Sequence, residues 1–154
     1  MPESRLARPR VSAGALFADD DGRILLVDPV YKAFWNLPGG GVDATETPRA
    51  ACRREVREEL GLDLPVGALL AVAWTANGPD GHLFFVFDGG VLSPEQRAAI
   101  VLPPGELARY AFVPPAAAPP LLAEPRRVLL AEVLRARADG LTRYLELELE
   151  LDGA

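Results

Sequence analysis

Three carboxylates, Glu55, Glu58 and Glu59, stand at i, i+3 and i+4 within residues 48–60. On a helix that spacing puts them on one face. Carboxylates grouped in this way suit a hard divalent cation, because magnesium prefers oxygen ligands and keeps several waters. Clustering like charges costs roughly 0.2–0.5 kcal/mol per exposed pair, so something must offset it. Arg54 can pair with Glu58 across one helical turn, and a bound cation would offset the remainder. An Arg- and Glu-rich helix is also what a solvated face looks like. Residue types alone leave both readings open.

The elements around this face are readable. Thr47 is placed to cap a helix whose first residue is Pro48, and Gly61 is placed to stop it. Cys52, Val56 and Leu60 fall on the neighbouring face and predict its docking side, while Arg49, Arg53 and Arg57 point to solvent. Upstream, Leu37-Pro38 is rigid and Gly39-Gly40-Gly41 is permissive, so this backbone can pass close to a phosphate. The loop 29–36 carries Lys32, Phe34 and Trp35. Phe34 and Trp35 either stack on a base or pack under the glycine loop. Arg10 and Lys32 either reach phosphate or simply face water.

The whole segment has a fixed spacing: Gly40, five residues, Glu46, seven residues, Arg54-Glu55-Val56, one residue, Glu58-Glu59, one residue, Gly61-Leu62. This pattern resembles the signature box of the Nudix family, with every fixed position matched. The resemblance implies an α/β fold, an α/β/α sandwich with a mixed central sheet. It implies hydrolysis of a phosphoanhydride bond in a nucleoside diphosphate derivative or a nucleoside triphosphate, by water attack on phosphorus. It implies Mg²⁺, with Mn²⁺ as a substitute, held by Glu55, Glu58, Glu59 and the Gly39 carbonyl. Glu58 is then also the expected base, Arg54 and Glu46 orient the carboxylates, and Gly40 and Gly41 approach the substrate. A further acidic ligand often precedes a late strand in this family. Glu106 is the candidate, with Asp80 and Glu95 as competitors. The residues Asp43-Ala44-Thr45 depart from the acidic-Pro-Gly turn common in the box, at unconstrained positions. The competing class is a catalytically silent nucleotide-sensing or interaction module on the same fold. Such modules typically lose box glutamates, and this chain keeps them.

Outside the box the substrate signal fades. Pro79 only approximates the proline of ADP-ribose hydrolases, and the tyrosine of dinucleoside polyphosphate hydrolases is missing there. His82, the single histidine, begins a strand after a turn and predicts a surface or half-buried structural role. Cys52 reads as core rather than nucleophile.

At 154 residues the chain fits one domain, residues 10–154, after a flexible N-terminus, residues 1–9. Strands are expected at 11–18, 24–27, 66–76, 82–88, 110–113 and 142–151, a short helix from Ser93, and an amphipathic helix at 124–138. In that helix Val128, Leu129, Val133 and Leu134 form the apolar stripe. Residues 114–120 read as an Ala/Pro linker. The formal charge of -6 argues against a nucleic-acid partner but not against a small phosphorylated ligand bound through a metal. One cysteine precludes an internal disulfide and suits a reducing cytoplasm. No apolar run reaches the roughly 20 residues of a membrane span, and the first ten residues lack the apolar core of a signal peptide. The Leu/Glu alternation at 145–151 predicts an edge strand with one wet face, available to pair with a second copy as a homodimer.

Overall fold

The computed structural model describes residues 6–76 and 78–147 of the chain. Strands β1 (Arg10–Ala18) and β2 (Ile24–Pro29) are joined by a turn that Asp19 organises. Its carboxylate accepts from the Asp21 and Arg23 backbone N–H groups, both at 2.9 Å. A short β3 (Gly39–Gly41) leads into helix α1 (Pro48–Leu60). There follow β4 (Leu69–Thr75), β5 (His82–Val91), a short α2 (Pro94–Ala98), β6 (Leu107–Val113), α3 (Glu124–Asp139) and β7 (Arg143–Leu147).

The strands form one sheet in the order β6-β2-β1-β5-β4-β7, with β3 pairing β1 off that path. It is mixed: β1 with β5 and β4 with β7 are parallel, and the other ladders are antiparallel. One core cluster packs α1 through Cys52, Val56 and Leu60 against sheet residues such as Phe17 and Leu25. The other packs α3 through Leu129, Leu130 and Val133 against Leu16, Leu26 and Val86. Because side chains alternate along a strand, adjacent residues such as Leu16 and Phe17 feed opposite layers. The result is the expected α/β/α sandwich.

A divergence of strands opens the site. β1 pairs β2 at Ala18 and Ile24, but at its other end it pairs β3 through Ser12 and Gly41, Ala13 and Gly40, and Gly14 and Gly39. Val27 of β2 instead bridges to Asn36. A cleft lies between these diverging segments.

Several expectations need correcting. The presumed linker 114–120 contains two single-turn 3-10 helices, Pro115–Ala117 and Pro119–Leu121, and Ala118 between them is fully buried. Proline-rich sequence can still fold tightly, because the ring presets φ for such turns. The apolar stripe of α3 is rotated from the one read in the sequence. Val128 is 49% exposed, whereas Arg126, Leu129, Leu130, Val133 and Ala136 are buried. Arg49, placed in solvent by helical spacing, is exposed but anchored. Its guanidinium donates to the Val66 and Gly67 carbonyls at 2.7 Å and stacks over Phe87 at 4.8 Å. His82 is not half-exposed: its exposure is 0%, and its Nε2 shares a 2.9 Å hydrogen bond with Ser12 Oγ. The expectations for residues 1–5 and 148–154 lie outside the described residues.

Candidate active site

Helix α1 begins as its residues dictate. The Thr47 hydroxyl accepts from the Ala50 N–H at 3.1 Å, and Pro48 needs no partner for an N–H it lacks. The helix ends at Gly61, whose N–H donates to the Arg57 carbonyl at 2.9 Å. Burial of Cys52, Val56 and Leu60 fixes its rotation and turns Glu55 and Glu59 toward β3.

Backbone and helix are fitted to one another. The Gly39 N–H donates to Glu59 Oε1 at 2.9 Å. A Cβ at Gly39 would lie 2.3 Å from the Ala13 carbonyl oxygen, and one at Gly40 would lie 2.4 Å from the Glu55 carboxyl carbon. Glycine is therefore required at Gly39, where the obstacle is backbone, whereas at Gly40 the end of the Glu55 side chain would have to move aside.

Arg54 organises the carboxylates. It grips Glu46 with two donors, Nε at 2.7 Å and Nη2 at 2.8 Å. Its Nη1 reaches Glu55 at 2.9 Å and Glu58 at 3.2 Å, and its Nη2 also donates to the Gly41 carbonyl at 3.0 Å. The bidentate grip holds the Glu46 carboxyl down at about 2. Burial pushes Glu55 upward, partly opposed by Arg54 and aided by the charges of Glu58 and Glu106. Glu59 is pushed up to about 8, first by burial and then by Glu55, Glu106 and Glu58, against the Gly39 hydrogen bond.

Glu55, Glu59 and Glu106 line one cleft of about 280 Å³. Of the acidic competitors to Glu106, Asp80 and Glu95 are exposed elsewhere and do not line it. Gly39, Gly40 and Gly41 form one wall, and Arg10 and Lys32 also face the cleft. Glu58 does not line it; its side chain is 51% exposed and held by Arg54. Phe34 and Trp35 also lie off the cleft. Trp35 packs against the α3-side core, with Arg109 stacked over its ring at 5.1 Å.

The structure adds lining residues that sequence reasoning missed, among them Ser12, Tyr31, Phe84 and Arg126. For Arg126 a signal existed. It heads the buried stripe at i, i+3, i+4 and i+7 with Leu129, Leu130 and Val133, and arginine there is out of place in a plain core.

The family model for the NUDIX domain matches residues 8–133. The chain belongs to the NUDIX domain family. It is 47% identical over 62 residues to an RNA pyrophosphohydrolase of Halorhodospira halophila (strain DSM 244 / SL1), covering 40% of this chain and 33% of that protein. It is 35% identical over 103 residues to a MutT-like protein of Streptomyces ambofaciens, covering 63% of this chain and 66% of that one. The chain thus spans less than two thirds of the length of these curated relatives. The crystal structure of a MutT NUDIX hydrolase from Burkholderia pseudomallei superposes with a TM-score of 0.69 at 30% identity, covering 82% of this chain and 98% of that one.

For a Nudix domain, the donor set fits a hard divalent cation in chemical type: the carboxylates of Glu55, Glu59 and Glu106 line one cleft beside the Gly39–Gly41 backbone. The upward shifts of Glu55 and Glu59 come first from burial and then from neighbouring carboxylates, and a cation beside them would favour their charged forms. Among the described residues, however, no three carboxylate, thiol or imidazole groups are gathered in ligand geometry. Arg54 and the Gly39 N–H occupy the oxygens instead.

Proposed function

We propose that this Nudix domain hydrolyses a phosphoanhydride bond in a nucleoside diphosphate derivative or nucleoside triphosphate, with Mg²⁺ as cofactor. The observation that carries the reading is the joining of Glu55, Glu59 and Glu106 with the Gly39–Gly41 backbone in one cleft that also bears Arg10 and Lys32. The pyrophosphohydrolase named among the relatives supports it.

Glu55, Glu58, Glu59, Glu106 and the Gly39 carbonyl would hold the cation, which supplies positive charge for the diphosphate and acidifies water when bound. The protein's own groups do the rest. Arg54 and Glu46 keep the Glu55 and Glu58 carboxylates oriented. Gly40 and Gly41 let the substrate phosphates lie against bare backbone. Arg10 and Lys32 attract the anionic substrate. Glu58, which must first turn from Arg54 toward the cleft, takes the proton as the water oxygen bonds to phosphorus. The bridging P–O bond breaks, and its electron pair leaves with the departing phosphate oxygen.

The substrate is a nucleotide-type small molecule. A cytoplasmic site of action is supported by the buried, free Cys52, and no helix among the described residues is long and apolar enough to cross a membrane. Homodimerisation is supported by β7, which stands at the end of the sheet order. Sedimentation would read it as twice the chain's mass.

The decisive experiment incubates wild type and Glu58→Gln with Mg²⁺ and a panel of nucleotides and nucleotide sugars. Metal-dependent turnover of at least one compound is expected, with strong loss in the variant. No turnover of any compound overturns the hydrolytic reading. Equal turnover by the variant overturns the role of Glu58.

A further inference from the structure

One buried polar pair reaches the cleft. Ser12 is 2% exposed and lines the cleft from β1. Its Oγ lies 2.9 Å from Nε2 of His82 on β5, which is fully buried. Strand pairing sets Arg10 beside His82 and Ser12 beside Phe84, so these side chains share one face of the sheet. The charges that act on the His82 ring are cationic, those of Arg10, Arg126 and Lys32. The glutamates Glu59, Glu106 and Glu55 act instead on Tyr31. Ser12 thus stands apart from the carboxylate end of the cleft.

The hydrogen bond between Ser12 and His82 has a direction. Burial and then those cations hold the His82 pKa at about 4, so the ring is neutral at neutral pH. A neutral imidazole carries one N–H. Nδ1 is buried with no hydrogen-bond partner among the described residues. A proton there would be a buried N–H without an acceptor, which folded proteins rarely tolerate. The proton therefore belongs on Nε2, which donates it to Ser12 Oγ. The hydroxyl hydrogen of Ser12 is then not spent on His82. Ser12 Oγ makes no other hydrogen bond among the described residues, and the cleft is where its hydrogen can be used.

We propose that Ser12 is a specificity-determining residue: its hydroxyl, oriented by His82, donates to a carbonyl oxygen on the nucleobase of the substrate and so selects carbonyl-bearing over amino-bearing bases. An amino group at that place would set donor against donor and leave both without a partner. This rests on the hydrolytic reading above, in which the diphosphate lies at the carboxylate end and the rest of the nucleotide meets Ser12.

The test is calorimetric binding with Mg²⁺ and α,β-methylene nucleoside diphosphates, whose bridging carbon resists hydrolysis, so that affinity is read without turnover. Inosine is paired with adenosine and uridine with cytidine; the first of each pair carries a carbonyl where the second carries an amino group. In wild type the carbonyl member of at least one pair binds roughly tenfold tighter. In Ser12→Ala that ratio collapses to about unity. In His82→Gln, whose amide can offer Ser12 either a donor or an acceptor, it falls by at least about threefold. A merely structural role would weaken both members alike and leave the ratio intact. Should circular dichroism show that the Ala variant does not fold, the Gln variant and the wild-type ratio decide. A wild-type ratio near unity in both pairs, or a ratio that survives either folded variant, overturns the proposal. Failure of every analogue to bind overturns it as well. The separate Mg²⁺ turnover panel then shows whether the hydrolytic reading falls with it.

Discussion

The backbone N–H of Gly39 donates to Oε1 of Glu59 at 2.9 Å, so the strand before the helix and the last turn of the helix are fastened through the site itself. The adjoining Gly40 has no room for a side chain because the Glu55 carboxyl group fills that space. Loop and carboxylates are therefore one fitted unit, and perturbing either should disturb the other.

Replacing Gly40 with Ala tests this. The new methyl would sit 2.4 Å from the Glu55 carboxyl carbon, and the flexible side chain would have to move aside. Because the displaced group is a side-chain end and not backbone, folding should survive. Metal affinity or turnover should fall on the order of 10–100-fold, the usual effect of misorienting a ligand. Steady-state kinetics beside a thermal melt would check it. A loss of melting temperature without a loss of turnover would show that the fit serves stability alone.

Arg54 and Arg53 give a paired comparison one residue apart. Arg54 spans Glu46, Glu55, Glu58 and the Gly41 carbonyl, whereas Arg53 makes only an exposed pair with Asp63 at 2.7 Å. Arg54→Gln should lower turnover by about 10–100-fold through misplaced carboxylates. Arg53→Gln should leave turnover and unfolding midpoint unchanged, because exposed ion pairs contribute little. Equal effects from the two substitutions would remove Arg54 from its organising role.

The difference between local and distant information explains what the sequence reveals. Helix α1 is legible because its cap, first proline, apolar stripe and stop lie within a few residues of one another. The Glu55–Glu58–Glu59 spacing is likewise local. Parallel pairing of β1 with β5 and β4 with β7 depends on segments far apart in the chain, and alternation along a strand does not specify its neighbour. The same limit hides Arg126. Reading α3 by periodicity chooses a stripe from apolar types, placing Val128 inside, while tertiary packing rotates the helix and brings an arginine to the cleft. Glu58 shows the converse. Its helical face is legible, but how far it lies from the cleft depends on how α1 is seated.

His82 should make stability depend on pH. Burial, then the charges of Arg10, Arg126 and Lys32, hold its pKa at about 4, below the ordinary 6.5. Its Nδ1 has no hydrogen-bond partner among the described residues, so a proton there would be buried unsatisfied. The unfolded state then binds the proton more readily than the folded state. The stabilising contribution is fully present above about pH 6.5 and is lost as pH falls toward about 4, by at most about 3 kcal/mol. Urea unfolding of wild type and His82→Gln across that window would measure it. The variant should show a shallower fall, and parallel curves would assign the acid sensitivity to other groups.

Cys52 should be chemically silent while the protein is folded. It is fully buried, and burial raises its thiol to about 12, so almost no thiolate forms at neutral pH. An alkylating reagent should modify the native protein only as fast as α1 opens from the sheet, and rapidly in denaturant. Cys52→Ser would bury a hydroxyl in an apolar contact and should cost about 1–3 kcal/mol, whereas Cys52→Ala should cost less by avoiding that desolvation. Mass spectrometry of labelled protein and urea melts of both variants would check these outcomes. Rapid labelling of the native state would mean that α1 is not firmly docked. The carboxylate arrangement depends on that docking, because the face bearing Cys52, Val56 and Leu60 sets the helix rotation that turns Glu55 and Glu59 into the cleft.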